Sequence, residues 1–182
     1  AGSAGCVLAN RLTACGTFKV CLLEAGPSDW NPMIHIPAGF IKTLVNPSVN
    51  WMYQSEASKG TNGRTIPMPR GKVLGGSSSI NGLIFNRGQK MDFDVWAQKG
   101  NRGWSYDDVL PYFRRYESHE DSPDASYRGQ MGEMKITNLA WRDPLCEAFI
   151  EGAESIGIPR NPDYNGAYQE GTSYVQRTAT GK

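Results

Sequence analysis

The feature that most constrains this chain is a pair of glycines, Gly2 and Gly5, three apart at the head of the apolar run Val7, Leu8, Ala9 and Leu12. The apolar spacing predicts a helix that starts on glycine. After a turn at Gly16, Phe18 to Leu23 has the composition of a buried strand and ends on Glu24. The two glycines match the second half of G-x-G-x-x-G, so the first strand and first glycine are expected just before Ala1. Glu24 follows Gly2 by 22 residues, close to the ~20-residue spacing at which an acidic side chain accepts a hydrogen bond from a ribose hydroxyl in a dinucleotide-binding fold. Each part has a physical reason. Gly2 lets backbone pass a pyrophosphate without a Cβ, Gly5 permits close helix packing, and the helix start offers unpaired N–H groups and partial positive charge to the anion. The alternative role for Glu24 is a solvated side chain at a strand end.

A second stretch, Arg70 to Gly88, holds Gly75, Gly76, three consecutive serines from Ser77, and the Asn81-Gly82 step among apolar residues. Read alone, it is a small-residue surface turn or a place where backbone approaches a ligand closely. A phosphate loop of the G-x-x-x-x-G-K-[ST] kind is excluded, because Lys72 precedes the glycine pair.

The segments RGKVLGGSSSINGLIFNRGQKMDFDVW, AGSAGCVLANRL and VCLLEAGP together closely resemble the glucose-methanol-choline (GMC) oxidoreductases, FAD-dependent alcohol-oxidising flavoproteins. The likeness continues through WSYDDVLPYFRRYE and Tyr127-Arg128-Gly129, covers essentially the whole chain, and is nearest to choline-dehydrogenase-like alcohol dehydrogenases. It implies an α/β protein with a Rossmann-like FAD-binding domain, its first strand truncated, over residues 1–130. The start of an α+β substrate-binding region would follow over residues 131–182. It also implies that Gly2, Ser3, Ala4 and Gly5 hold the FAD pyrophosphate and that Glu24, beside Ala25, holds the ribose. Arg70, Gly71, Val73, Leu74, Gly75, Gly76 and Ser77 would run beside the cofactor, with Asn81, Gly82 and Leu83 near the flavin ring. For the serines, capping a short helix and touching FAD remain equal alternatives. Some relatives attach flavin through a histidine just before the signature asparagine; Ile80 stands there, so noncovalent FAD is expected.

The implied reaction is oxidation of a small-molecule alcohol by hydride transfer from carbon to flavin N5, with oxygen, a quinone or another acceptor taking the electrons. Alternatives are a lyase or photodecarboxylase on the same scaffold, or a flavin-binding fragment without turnover. No residue here is assigned to catalysis, since the family's histidine base belongs to a C-terminal segment. Both chain ends read as cut, and the chain alone is expected to be inactive.

The formal charge of +1, from 19 basic and 18 acidic residues without long basic runs, argues against a nucleic-acid partner. Cys6, Cys15, Cys21 and Cys146 fit neither a C-x-x-C metal motif nor a disulfide framework. They are expected to be mostly buried small apolar residues. With only His35 and His119 beside them, no metal site is expected. No apolar run reaches the roughly 20 residues of a membrane span, which suggests a cytoplasmic protein or one peripheral to the membrane.

Between these motifs, short helices are expected around Ile41 to Val45 and Asp92 to Gln98. Short extended pieces are expected at Asn50 to Gln54 and Thr65 to Met68. Ser105 opens a helix whose inward face is Val109, Leu110, Tyr112, Phe113 and Tyr116, with Pro111 disturbing its first turns. Asp143-Pro144 opens another, striped by Leu145, Phe149, Ala153 and Ile156. Strands are expected at Glu133 to Thr137 and Ser173 to Arg177. His35 reads as structural or superficial, and His119, in the acidic run from Glu117 to Asp124, as solvated.

Overall fold

The helix starts are where the sequence speaks most directly. In the computed structural model, which describes residues 1–119, 121 and 124–179, side chains cap several of them. Asn31 accepts from the Met33 N–H at 3.0 Å ahead of α2 (Pro32–His35), and Asp143 accepts from the Leu145 N–H at 2.8 Å ahead of α6 (Pro144–Ser155). Ser105 and Asp108 form a reciprocal capping box at α5 (Tyr106–Tyr116). Such caps satisfy N–H groups that have no carbonyl within the helix. At α4 (Lys90–Gln98) the Gln89 N–H is taken by Asp92 at 2.8 Å, while Asp94 reaches across to the Tyr106 N–H at 3.0 Å. The two aspartates are thus spent on helix starts.

Two compact units divide the chain, Ala1–Leu83 and Ile84–Lys182. In the first, α1 (Ser3–Thr13), α2 and α3 (Phe40–Thr43) precede a two-stranded antiparallel ribbon, β1 (Tyr53–Gln54) with β2 (Pro67–Met68). Its apolar centre is Val49, Val73 and Ile80, with Ile34 and Leu44 packed against it. In the second, a sheet in the order β3-β6-β5-β4 joins β3 (Ile84–Phe85), β4 (Glu117–His119), β5 (Met134–Asn138) and β6 (Gln176–Arg177). The β4–β5 pair is parallel and the other two are antiparallel. The connection back from β4 is held close by Gly129 and Gly132. A Cβ on Gly129 would overlap the Arg114 carbonyl, and one on Gly132 the backbone of Tyr116. An edge-to-face series from Trp104 through Trp96, Phe93 and Phe113 to Tyr116 and Phe85 packs α4 and α5 beside this sheet.

The chain is α/β, with several departures from the expected elements. Residues 18–24 belong to no strand among the described residues, with Leu23 82% exposed. A strand exists only against a neighbour, and no described strand flanks this run; the Ala1 amino group donates to the Leu23 carbonyl at 3.0 Å. Helix α1 buries none of its residues, and the four cysteines are exposed instead of buried. On α6, Ile150 and Ala153 are buried while Leu145, Phe149 and Ile156 face outward. Pro111 sits inside α5 without shifting its start, since the Ser105 box holds the first turn, and Tyr112 is exposed. His119 is buried, and neither ring nitrogen has a hydrogen-bond partner among the described residues. Alternation along β4 explains its burial: Glu117 and His119 share the inward face and Ser118 takes the other. Glu120, Ser122 and Pro123, in the same run, lie outside the described residues.

Gly152 lies in α6, and a methyl group placed there would meet nothing within 4 Å. Alanine at this position should stabilise the protein by about 0.5–1 kcal/mol through helix propensity and reduced chain entropy. A thermal melt of Gly152→Ala against wild type checks it; a lower midpoint would mean that this face is covered.

Candidate functional site

Helix α1 opens on Gly2, whose backbone is extended (φ −89°, ψ −174°) and whose position supplies no side-chain cap. The helix runs 11 residues with no acidic residue in its first turn. Its first N–H groups are therefore left for an outside acceptor, and nothing negative in that turn competes with an anion. Ser3, Ala4 and Gly5 form that first turn. A Cβ on Gly5 would stand 3.3 Å from Leu22, so the glycine lets the helix lie close to the 18–24 segment.

The second glycine segment folds onto this helix start. Gly75 donates its N–H to the Ala1 carbonyl at 2.9 Å, and the Ser3 and Ser78 hydroxyls are hydrogen bonded. Gly76 has φ +58°, and a Cβ on it would lie 2.9 Å from the Gly2 Cα. Within the segment, the Gly71 N–H donates to Ser77 Oγ at 3.1 Å and the Gly76 N–H to the Val73 carbonyl at 2.7 Å. The Ser79 hydroxyl closes back on the Leu74 carbonyl at 2.7 Å. A short 3₁₀ turn, Gly76–Ser79, follows, with Gly75 in the left-handed region just before it.

Glu24 stands beside this junction. One carboxylate oxygen accepts from the Ala1 amino group and the other from the Gly26 N–H, each at 2.9 Å. The turn that follows is pressed against the second segment: a Cβ on Gly26 would overlap the Lys72 carbonyl, and Leu74 donates its N–H to the Pro27 carbonyl at 2.9 Å. Ala25, between them, is exposed.

The residues Gly2, Ser3, Glu24, Gly71, Gly75, Gly76 and Ser77 are thus gathered about one junction made mostly of backbone. Val73 is directed elsewhere, its side chain fully buried with Val49 and Ile80. Arg70 is exposed, its Nη1 donating to the Pro69 carbonyl at 2.7 Å. Asn81, Gly82 and Leu83 lie past the 3₁₀ turn and make local bonds: Asn81 Oδ1 accepts from the Leu83 N–H at 3.0 Å. Leu83 adopts φ +62°, and a Cβ on Gly82 would rest 3.7 Å from the Phe40 ring. One junction residue, Gly26, falls outside the candidates that the sequence supplies, and Ser78 is among the serines for which FAD contact and helix capping stand as alternatives. For Gly26 the Ala-Gly-Pro turn after an acidic strand end is the available signal.

What the junction can do is bind a phosphorylated ligand with a ribose. It supplies N–H groups, small residues that admit backbone-distance approach, two hydroxyls, and a carboxylate acceptor at the end of the 18–24 segment. FAD fits that donor set, and a Cβ on Gly76 would close the approach of its backbone to Gly2. Among the described residues no group of three or more His, Cys, Asp or Glu could hold a metal, and no helix is long and apolar enough to cross a membrane. His35 is superficial, its Nε2 bonded to the Asp29 carbonyl at 2.6 Å.

Comparison with known proteins bears on the same residues. An alcohol dehydrogenase [acceptor] of Pseudomonas putida is 41% identical over 178 residues, 98% of this chain and 32% of that protein. An oxygen-dependent choline dehydrogenase of Vibrio vulnificus is 45% identical over 180 residues, 98% of this chain and 32% of that protein. The crystal structure of pyridoxine 4-oxidase from Mesorbium loti superposes with a TM-score of 0.90 at 35% identity, covering 98% of this chain and 35% of that one. The chain therefore spans about a third of the length of the relatives it matches. The family model described as GMC oxidoreductase matches residues 1–182. With both glycine segments inside that match, the chain belongs to the GMC oxidoreductase family.

Proposed function

We propose that this chain is the FAD-binding portion of an oxidoreductase that acts on the CH–OH group of a small-molecule alcohol. The observation that carries the reading is the docking of Gly75 and Gly76 on the uncapped start of α1, with Glu24 beside the same junction. The relatives, named for alcohol, choline and pyridoxine, supply the substrate class. They favour alcohol oxidation over a lyase, a photodecarboxylase or a non-catalytic flavin fragment.

In this reading the N–H groups of Ser3, Ala4 and Gly5 hold the pyrophosphate, with the Ser3 hydroxyl adding a donor. Glu24 orients the adenosine ribose, and Ala25 leaves room beside it. Arg70 to Ser77 runs along the cofactor through its backbone, which is consistent with the buried side chain of Val73. Asn81, Gly82 and Leu83 face the flavin ring. Bound FAD supplies the hydride acceptor for the oxidation. The division at residue 130, with a substrate-binding region starting at 131, describes roles, whereas compactness divides the chain at Leu83.

Noncovalent attachment is supported by Ile80, whose side chain is buried against Val49 and Val73 and carries no nucleophilic atom. Acid precipitation of the full-length holoprotein should leave yellow flavin in the supernatant. Flavin retained in the pellet would refute noncovalent attachment, and bound NAD without flavin would refute the cofactor.

Glu24→Ala should weaken FAD binding by about 1–3 kcal/mol, the range for a charge-assisted hydrogen bond. Titration of the full-length apoprotein with FAD measures it. Equal dissociation constants at equal folding would leave Glu24 as a solvated side chain.

A further inference from the structure

We infer that Asn50 is a positioning residue for the cofactor: its side-chain amide sets the backbone from which the Arg70–Ser77 segment departs. The inference rests on the reading that this segment runs along FAD.

Asn50 is 2% exposed, and its amide ties together three stretches of chain. Its Oδ1 accepts from the Arg70 N–H at 3.1 Å and from the Met52 N–H at 3.0 Å, and its Nδ2 donates to the Leu44 carbonyl at 2.6 Å. The join is reinforced on both sides. Trp51 donates its N–H to the Arg70 carbonyl at 2.9 Å, Lys72 donates to the Val49 carbonyl at 2.8 Å, and Asn50 pairs with Gly71 in an isolated antiparallel bridge. The Lys72 ammonium lies 4.9 Å from the centre of the Trp51 ring.

Two further facts give the amide a purpose beyond filling space. Met52 adopts φ +57°, a left-handed conformation that costs a residue with a Cβ free energy and persists where surrounding bonds over-determine it. The bond from Met52 to Asn50 is such a constraint. The residue next to the clamped Arg70 N–H is Gly71, whose own N–H closes the glycine-serine loop on Ser77 Oγ at 3.1 Å. The clamp and the loop closure are adjacent along the chain, so a shift at Arg70 is carried directly into the loop that packs on Gly2. An apolar residue of similar volume would leave two N–H groups and a carbonyl unpaired, and a buried unpaired group is costly.

The test uses the full-length protein and compares Asn50→Ala with Ile150→Ala, which removes buried volume from α6 and touches none of the clamp residues. Thermal melts report stability; FAD titration and the visible circular dichroism of bound flavin report position. Asn50→Ala is expected to weaken FAD binding by about tenfold or more, the scale of one to two buried hydrogen bonds, and to change the flavin dichroism. Ile150→Ala is expected to lose stability yet bind FAD within about twofold of wild type. Should Asn50→Ala fail to fold, Asn50→Ser, whose hydroxyl can still accept from Met52, takes its place and is expected to show an intermediate loss. Wild-type affinity and dichroism in the folded Asn50 variant would overturn the proposal. So would losses of affinity that merely track stability in both variants. A wild-type protein that binds no FAD would instead overturn the cofactor reading, and this inference with it.

Discussion

Gly71→Ala is expected to leave the full-length protein largely without flavin. A methyl group at position 71 would overlap the carbonyl of Gly76 and stand 2.7 Å from the Ser77 nitrogen. The obstruction is backbone, which cannot rotate aside like the end of a long side chain. The loop must open, and in opening it loses the bond from Gly71 to Ser77 and withdraws Gly76 from Gly2. Overpacking of this kind costs about 1–3 kcal/mol, sometimes more, or roughly ten- to hundredfold in affinity if it falls on the bound state. Gly63→Ala is the control. Gly63, unlike Gly71, has positive φ, but its Cβ would meet nothing, so only the left-handed backbone cost of about 1–2 kcal/mol applies, at a polar turn outside the loop. The flavin-to-protein ratio after desalting decides the matter; full loading of Gly71→Ala would show that the loop does not carry the cofactor.

The other large effect is expected in the second unit. Glu117 accepts from Arg87 through one oxygen and from Arg128 Nε at 2.6 Å through the other, and Arg128 also holds Asp163 and Gln176. The side chains of Arg87, Glu117 and Arg128 are 1%, 0% and 0% exposed. Glu117→Leu would strand two buried guanidinium groups, with Asp163 alone among the described carboxylates paired to either of them. Breaking a buried pair from one side costs about 3–5 kcal/mol, which for a domain of this size lowers the melting temperature by roughly 6–20 °C. Replacing all three residues by apolar ones should recover much of the loss, because the stranded charges go too. A melt of Glu117→Leu within a degree or two of wild type would show that the cluster is not structurally important.

The same cluster shows where reading the sequence falls short. Glu117 and His119 stand in an acidic, hydrophilic run, yet both are buried, because β4 lies against β5 and the 127–132 segment. Their burial follows from partners distant in the chain. Arg128 meets Asp163 and Gln176, and Arg87 takes the carbonyl of Tyr127. No local pattern announces such a meeting. At Val7, Leu8 and Leu12 the helical spacing is plain and the helix forms, but among the described residues nothing covers those side chains. Periodicity states which face should be buried, and not what arrives to bury it.

What the sequence determined by itself is whatever depends on a few neighbouring residues. The caps at Ser105 and Asp143 act within one turn of helix, and the glycines of residues 2–5 and 71–76 are needed wherever backbone must approach closely or turn left-handed. The spacing from Gly2 to Glu24 is of the same kind, because one helix and the run after it fix the distance along the chain. Tertiary structure alone decided that Gly76 docks on Gly2 and Gly26 on Lys72. It also decided that Asn50, an ordinary polar residue in the sequence, becomes a buried clamp on Arg70. A side chain's hydrogen-bond partners depend on which distant backbone is brought within about 3 Å, and only closure of the whole chain settles that.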